Sequence, residues 1–340
     1  MKHFLFVICT ATMITGYAFA GNMEHPMYLP SAGDFYSKSG MGLMYKRSDH
    51  TEALKKKHMD GNDEFPIWRF TEDLGYGITD RLAVHGRFGW TQDDSINRKG
   101  MHRGRVGLTY RILADDSPIL WDVYGEAYLS ALMPMEGKYS NGNFTYDNYS
   151  NGRWGMYGGT KLGKTWGNFT LSAYGEYLQT FGNHNNKVRI DQNSPIAVGV
   201  PITMGMVGIP SEISVDLAST HEINSGINAF VQLSKKWSVG GGFEFIEHRD
   251  NSIKSIHTKL NESIVGPEWQ QKVVDSLLAQ TADMNDGWNE YVLKVVGAYQ
   301  MTDMIQFAAF AEYTFDKSHA QSQNGTDIKA EAGVRVNVVF

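Results

Sequence analysis

The chain has 340 residues and a formal net charge of −6 at pH 7. That length allows one large domain or two ordinary ones, and the acidic balance argues against nucleic acid as a partner. The single cysteine, Cys9, excludes an intramolecular disulfide framework.

Residues 1–20 have the pattern of a secretory signal peptide. Lys2 supplies the positive charge, Phe4 to Gly16 is the apolar core, and Ala18-Phe19-Ala20 provides the small residues of a cleavage site. A short buried helix is the alternative reading. We expect an exported protein whose mature chain begins at Gly21 and carries no cysteine and no lipid anchor.

No later stretch predicts a membrane-spanning helix. The longest uncharged run, Gln192 to Ser211, is interrupted by three prolines and three glycines, which excludes a straight helix. An exported chain without membrane helices can still cross lipid, but only as a closed β-barrel.

Strand periodicity dominates the mature chain. From Leu82 to Trp90, for example, apolar side chains alternate with His85 and Arg87, and similar alternation recurs down to the last segment. The pattern predicts twelve strands, which begin near Met41, Trp68, Leu82, Met101, Pro118, Arg153, Phe169, Ile223, Trp237, Trp288, Ile305 and Thr326.

A soluble β-sandwich would share this alternation, but three further features favour a membrane barrel. The strands are long enough for the ~9–11 residues that cross a bilayer. Tryptophan and tyrosine cluster at strand ends, as at Trp90, Trp121 and Trp237, which is typical of the headgroup levels. Short connections such as 77–81 alternate with long ones such as 48–64, which is the outer-membrane arrangement.

These features predict an all-β fold, a closed antiparallel transmembrane barrel with short periplasmic turns and long external loops. We assign residues 1–20 to the signal peptide, 21–38 to an N-terminal periplasmic segment and 39–340 to the barrel. An even strand number leaves both termini at the short-turn side. Fourteen strands are the alternative, if Ile196–Val200 and Ile213–Leu217 form one more hairpin.

The turn Tyr76-Gly77-Ile78-Thr79-Asp80-Arg81-Leu82 resembles hairpins of porin-like outer-membrane proteins, and above all those of the meta-pathway phenol-degradation outer-membrane family. The segment 299–305 is a degenerate second copy of this turn. Val336 to Phe340, with its terminal aromatic residue, resembles the signal that the bacterial barrel-assembly machinery reads. The resemblance implies a Gram-negative outer-membrane barrel and identifies no ligand or catalytic residue.

The polar faces of the strands predict a charged lumen. Four glutamates each follow a short turn at the same interval, and arginines concentrate on the early strands. A basic arc facing an acidic arc would set a field across a narrow pore; the alternative is that the charges pair and fill a closed interior. The predicted pore-lining residues are Arg69, His85, Arg87, Arg103, Arg105, Glu126, Glu176, Glu244 and Glu312.

The sequence therefore predicts a porin-like channel for passive diffusion of small polar solutes. The expected partners are outer-membrane lipid and lipopolysaccharide, the assembly machinery and the solute; the oligomeric state, the solute and the open or plugged state are not given. A structural or adhesive barrel with a plugged lumen is the alternative. A hydrolase built on Asp49-His50 and Asp93-Asp94 is a third reading, but their order does not match that of omptin-like proteases. No cofactor or metal site is expected.

Three local features are left open. A helix is predicted over 265–282, either as a cap on the barrel mouth or as a surface helix on its rim. The stretch Pro195 to Pro210 is read as an apolar constriction, a plain loop or an extra hairpin. Met23, His25 and Met27 could bind copper, but a disordered tail is the preferred interpretation.

Glu72 conflicts with the barrel pattern. If Trp68, Phe70 and Leu74 face lipid, then Glu72 does too, at a cost that depends on its depth in the bilayer. Either a β-bulge near Asp73 changes the register, or the strand begins later than predicted.

Overall fold

The computed structural model describes most of the strands and part of the loops. The described residues are 22–47, 67–93, 98–113, 119–129, 135–137, 144–146, 154–190, 203, 205, 206, 208, 212–249, 253–257, 272, 275, 288–318 and 328–340. No helix in these ranges is both long and apolar enough to cross a membrane.

Twelve antiparallel strands form a closed barrel, in which each strand pairs with its sequence neighbour among the twelve and the last pairs with the first. They are β1 (Phe35–Arg47), β2 (Ile67–Thr79), β3 (Leu82–Asp93), β4 (Arg98–Leu113), β5 (Leu120–Tyr128), β8 (Gly155–Trp166), β9 (Phe169–Thr180), β12 (Thr220–Gln232), β13 (Trp237–Arg249), β15 (Trp288–Gln300), β16 (Ile305–Ser318) and β17 (Ile328–Val339).

Five shorter strands lie in the long connections. β6 (Met135–Gly137) pairs with the loop end of β4. β7 (Phe144–Tyr146), β10 (Asn183–Ile190), β11 (Glu212–Leu217) and β14 (Ile253–His257) form a separate four-stranded sheet. All five belong to connections that the sequence predicts to be long and external.

The twelve-strand prediction is confirmed, and the fourteen-strand alternative is wrong. β11 coincides with the predicted segment 213–217, but it pairs with β10 and β14 outside the barrel; the other half of that hairpin, 196–200, lies outside the described residues. β1 begins at Phe35, before its predicted start. Of the helix predicted over 265–282, only Lys272 and Asp275 are described, and both are helical.

The barrel closes where the two ends of the chain meet. β1 and β17 pair without interruption from Tyr36 opposite Val339 to Arg47 opposite Ile328. The N–H of Phe340 donates to the carbonyl oxygen of Phe35 over 2.8 Å, and the ring centroids of these two residues lie 5.9 Å apart. This pairing leaves no open sheet edge, which a strand structure needs in lipid.

The two faces of the wall differ as a membrane barrel requires. Outward side chains such as Leu43, Leu293 and Val334 are exposed, whereas Asn337, Gln306 and other polar side chains are buried in the interior. Large aromatic residues are exposed at strand ends, including Tyr76, Tyr110, Trp121, Trp154, Trp237 and Tyr313. An apolar exterior with aromatic girdles and a polar interior is the arrangement of outer-membrane barrels.

The register of β2 tests the two explanations for the conflict at Glu72. From Trp68 to Gly77, β2 pairs with β3 without a shift; the irregularity lies between Gly77 and Thr79, not near Asp73. β2 also begins at Ile67 and not later. Both explanations based on sequence are therefore wrong, and Glu72 lies on the outer face.

Candidate functional site

The polar side chains of neighbouring strands meet halfway along the lumen, beginning at Glu126. Nε2 of His85 lies 2.8 Å from Glu126 Oε1, and Nη1 of Arg105 lies 3.4 Å from Glu126 Oε2. The three side chains come from β3, β4 and β5, and Gly107 lies opposite Glu126 in the register. Gly107 has no side chain, which leaves room for the Glu126 carboxylate between its two partners.

The chain of contacts continues from Arg105 to Glu176. The Arg105 guanidinium lies 4.3 Å from the ring centroid of Tyr157, a cation–π distance. The hydroxyl of Tyr157 donates to Glu176 over 2.7 Å, and Tyr124 donates to the other oxygen of the same carboxylate. Glu176 thus receives two phenol donors from strands on one side.

Glu176 is linked on its other side to β12, β13 and β15. The amide nitrogen of Asn224 donates to Glu176 over 3.0 Å and also to Glu244, and Lys294 forms an ion pair with Glu244. Glu312 lies directly opposite Lys294 in the register.

Further polar residues of the lumen lie on β16, β17 and β2. Glu312 also lies opposite Glu331, and Nη1 of Arg69 donates to Glu331 over 2.7 Å. We call this set of side chains the lumen belt and define it as Arg69, His85, Arg105, Glu126, Tyr157, Glu176, Asn224, Glu244, Lys294, Glu312 and Glu331.

Two further ion pairs lie in the lumen. Arg87 pairs with Asp73 at 3.2 Å, and Arg111 pairs with Asp122 at 2.8 Å. The Arg111–Asp122 pair is almost completely buried, so its charges need further hydrogen bonds to offset desolvation. Arg111 meets that need by donating from Nη2 to the carbonyl oxygen of Met27 over 2.6 Å.

The structure places seven of the nine predicted pore-lining side chains in the lumen by direct contacts, and Glu312 by its register. The side chain of Arg103 lies outside the described part of the chain. Arg105 contacts a carboxylate on the adjacent strand, and His85 and Arg69 each contact a carboxylate two strands away, so basic and acidic groups meet side by side. The opposed arcs stay a prediction.

Sequence reasoning missed several members of the lumen belt. Lys294 and Glu331 alternate with outward apolar residues and could have been found by strand parity. Tyr157 and Asn224 could not, because their roles depend on carboxylates that approach from strands β9 and β13.

Gly107 offers a direct test of packing in the lumen belt. A Cβ at Gly107 would lie 2.2 Å from the carbonyl oxygen of Gly125, whereas a Cβ at Gly175 would meet nothing within 4 Å. We expect Gly107→Ala to lower the free energy of unfolding by ~1–3 kcal/mol, a typical cost of overpacking, and Gly175→Ala to leave it nearly unchanged. Urea unfolding in lipid vesicles measures both, and equal stabilities would contradict the close approach.

Residues 22–31, which we call the plug segment, lie inside the short-turn end of the barrel. Asn22 donates to Ser238 Oγ over 2.8 Å and accepts from Gln306 over 2.8 Å. Glu24 accepts from Asn337 at 2.8 Å and from Arg335 at 3.1 Å. The segment is therefore fixed to β13, β16 and β17 by side-chain contacts.

Lumen side chains also bind the backbone of the plug segment. Lys38 donates to the carbonyl oxygen of Met23 over 2.6 Å, and Lys161 to that of Pro26 over 3.0 Å. Together with the Arg111 bond to Met27, these contacts tie the segment to β1, β4 and β8. The segment thus crosses the mouth from one wall to the other, and the prediction of a disordered tail is wrong.

The entry of the plug segment depends on close backbone contact. Gly33 has a φ of 89°, the left-handed region that favours glycine, and its N–H donates to the carbonyl oxygen of Gly77 over 2.8 Å. A Cβ at Gly77 would lie 1.9 Å from the carbonyl oxygen of Ser31. The chain can therefore turn from the lumen into β1 only while Gly77 carries no side chain.

The methionines of the plug segment are packed, not free to bind metal. Met23 and Met27 are 1% and 3% exposed. Nδ1 of His25 accepts from the N–H of Met27, so Nε2 carries the proton and donates to Thr170 Oγ1 over 2.9 Å. The described residues contain no group of three metal-ligating side chains, and the copper hypothesis receives no support from this geometry.

The charge of His25 links the plug segment to pH. Burial, then Arg111 and Lys161, lower its pKa to about 4 from the usual 6.5. The released segment binds a proton at higher pH than the seated one, so seating is strongest above pH 6.5 and weakens as pH falls toward 4. Burial alone would raise the pKa of Glu24, but Lys38 and Arg335 outweigh burial, so the pKa is lowered. Protonation of Glu24 at low pH therefore also weakens the binding of the plug segment.

We therefore expect acidification from pH 7 to pH 4 to release the plug segment. For His25 the linkage is worth at most about 3 kcal/mol. Conductance in planar bilayers, measured across this range, should rise in the wild type and rise less in His25→Gln, which cannot titrate. Identical pH profiles for the two proteins would show that His25 is not seated.

A second polar cluster lies on the four-stranded loop sheet. Nε2 of His257 is 2.7 Å from Asp216 Oδ2, and Ser255 Oγ is 2.8 Å from the same oxygen and 3.2 Å from the same imidazole nitrogen. A hydrolytic triad needs the carboxylate and the hydroxyl on opposite imidazole nitrogens. The hydrolase hypothesis rests on Asp49-His50 and Asp93-Asp94. The structure does not describe Asp49, His50, Asp94 or the side chain of Asp93.

Comparison with known proteins shows which fold this barrel resembles. No protein-family model matches the chain, and no curated protein is similar to it in sequence. Among solved structures, the COG4313 outer-membrane channel from Pseudomonas putida F1 superimposes with a TM-score of 0.53 at 11% identity, covering 96% of this chain and 100% of that one. The chain has the fold of an outer-membrane channel.

Two looser similarities are of the same general type. The NanC porin gives a TM-score of 0.40 at 10% identity, covering 87% of this chain and 98% of that chain. The toluene transporter TbuX of Ralstonia pickettii gives 0.41 at 10% identity, covering 92% and 90%. At these identities the similarity concerns the fold alone, and the resemblance to the meta-pathway family stays a prediction.

Proposed function

We propose that the protein is an outer-membrane channel through which small polar solutes diffuse passively. The observation that carries this proposal is the polar lumen belt inside a barrel with an apolar exterior. Most of its charges sit beside a charge of opposite sign, so the lumen offers paired donors and acceptors rather than one strong field. A neutral, hydroxyl-rich solute fits that surface better than a strongly charged or an apolar one.

Planar-bilayer recording and vesicle swelling test this proposal together. We expect discrete conductance steps above the lipid background, and faster swelling in a small neutral polyol than in a large oligosaccharide. Absence of both at pH 7 and at pH 4 would reject a diffusion channel. Testing both pH values matters because the plug segment is seated at pH 7.

A structural or adhesive barrel with a plugged lumen is the second candidate. It is favoured by one observation, the plug segment that crosses the short-turn mouth and binds its walls. The two candidates differ after removal of that segment, since a channel should then conduct freely and a filled barrel should not.

The proposed channel function also implies a location in the outer membrane. We propose that the signal peptide is cleaved after Ala20, that the mouth crossed by the plug segment opens to the periplasm, and that the barrel contacts outer-membrane lipid and lipopolysaccharide. Terminal Phe340 would then be recognised by the barrel-assembly machinery. Mass determination of the membrane-extracted protein tests the cleavage, and the heat-shifted gel band of a Phe340→Ala variant tests assembly.

A further inference from the structure

Glu72 lies on the outer face of the barrel, although it is an ionisable residue. It is directly opposite Ser39 on β1, and Oγ of Ser39 and Oγ of Ser37 each donate to its carboxylate over 2.6 Å. These serines share a face with Met41 and Leu43, which are both 42% exposed. Lys38, between them, points inward to the plug segment.

Glu72 is at the middle of the apolar band. The outward aromatic residues Trp68 and Tyr76 lie four residues away on either side of it along the same face of β2. At ~3.3 Å per residue and a tilt of ~40°, each lies roughly 10 Å above or below Glu72. Because the outward band of such barrels is ~25 Å tall, the carboxylate is at the depth where lipid offers no polar partner.

The outward position of Glu72 is unusual among the acidic residues of this protein. The other described acidic side chains in the middle of barrel strands, such as Asp73, Glu126 and Glu331, face the lumen and its cations. Polar groups that face lipid at this depth are costly. The two serine hydroxyls donate hydrogen bonds to the carboxylate. The side of the carboxylate that faces the lipid still requires a protein partner.

The same outer face contains a groove two strands away. Small side chains on β16 and β17 form its floor, larger ones on both sides form its walls, and its volume is about 570 Å³. Its outward lining residues include Ala311, Ala330 and Ala332 as floor and Leu43, Tyr45 and Tyr313 as walls. Small residues at membrane interfaces allow close approach of a neighbouring chain.

We infer that the face formed by β16, β17, β1 and β2 binds a second copy of this chain about a twofold axis parallel to the membrane normal. Two copies inserted in the same orientation hold each residue at the same depth. A mid-membrane polar group therefore meets the identical group of its neighbour, which no unrelated protein would guarantee. Face-to-face Glu72 carboxyl groups can share one proton, which removes a charge and adds a hydrogen bond.

The groove fits the same operation. A twofold axis near β1 brings β2 of the second copy over β17. Trp68, Leu43, Ala332 and Ala311 lie in one row across the strands, so Trp68 of the second copy falls over the alanine floor. The four strands of this face, at ~4.8 Å spacing and ~25 Å height, present roughly 480 Å², a smaller contact than the ~800 Å² per partner of a standard interface.

Cysteine cross-linking in native membranes tests the geometry, because Cys9, the chain's only cysteine, lies in the signal peptide that we propose is removed, which leaves a cysteine-free background. Met41 lies beside the expected axis, and Ile227 on β12 is an exposed mid-strand residue at another part of the wall. We expect oxidation to produce several-fold more dimer for Met41→Cys than for Ile227→Cys. Equal yields, or a Met41→Cys adduct with a different protein, would overturn the inference.

Substitutions on the same face provide a second test by native mass spectrometry of protein extracted with its lipid. Glu72→Gln, which can donate and accept, should preserve the dimer, and Ala332→Trp, which fills the groove, should abolish it. Ala173→Trp on the exposed face of β9 is the matched control and should leave the dimer intact. A monomeric wild type, or equal loss in both tryptophan variants, would reject the interface without bearing on conductance.

Discussion

Deletion of residues 22–31 is expected to raise the single-channel conductance of the protein several-fold. The plug segment crosses the short-turn mouth and is bound by side chains from several strands of the barrel. The twelve strands pair with one another without the plug segment, so the barrel wall should stay intact when the segment is removed. Planar-bilayer recordings of the deletion variant and the wild type at pH 7 make the comparison.

Two finer variants separate release of the plug segment from damage to the barrel. Asn22→Ala with Glu24→Ala removes four of the anchoring side-chain hydrogen bonds described above, each worth ~0.5–1.5 kcal/mol or more, and should increase the time spent in the open state. Gly77→Val forces Ser31 away and should act in the same direction. The heat-shifted gel band checks that all three proteins remain folded, and unchanged conductance in the deletion variant would place the segment outside the solute path.

The strands could be predicted because their information is local. Alternation along 82–90 or 330–340 predicts which side chains face lipid, and the aromatic residues at strand ends indicate where each strand ends. The same pattern predicts that the Glu72 side chain faces outward, and β2 contains no bulge near Asp73 that would turn it inward. An outward carboxylate nevertheless conflicts with a single barrel surrounded by lipid.

The plug segment could not be predicted in the same way. Residues 22–31 have no strand or helix periodicity, and their partners are distant in sequence; Asn337 and Glu24, for example, are 313 positions apart. The lumen belt is an intermediate case. Strand parity places His85 and Glu126 inside, but their contact across the intervening strand β4 depends on Gly107, whose role becomes visible only in the assembled wall.

Neutralising two glutamates of the lumen belt should shift ion selectivity toward anions. Glu126→Gln with Glu176→Gln preserves the size of both side chains and removes two negative charges, leaving Arg105 and His85 without an opposing carboxylate. At an effective dielectric constant of ~20, a unit charge ~8 Å from a passing ion contributes ~2 kcal/mol. The anion-to-cation permeability ratio should therefore rise by about tenfold or more, since ~1.4 kcal/mol corresponds to a factor of ten.

The reversal potential under a salt gradient measures this ratio, and it should move to the anion-selective side. Asp303→Asn provides the control, because Asp303 is exposed in a short turn between β15 and β16, away from the lumen belt, and its removal should leave the potential unchanged. If the double variant folds and its potential equals that of the wild type, ions do not pass the lumen belt. If the single variants each produce the full shift, the two carboxylates act as one coupled unit through Tyr157 and Arg105, as their shared contacts would allow.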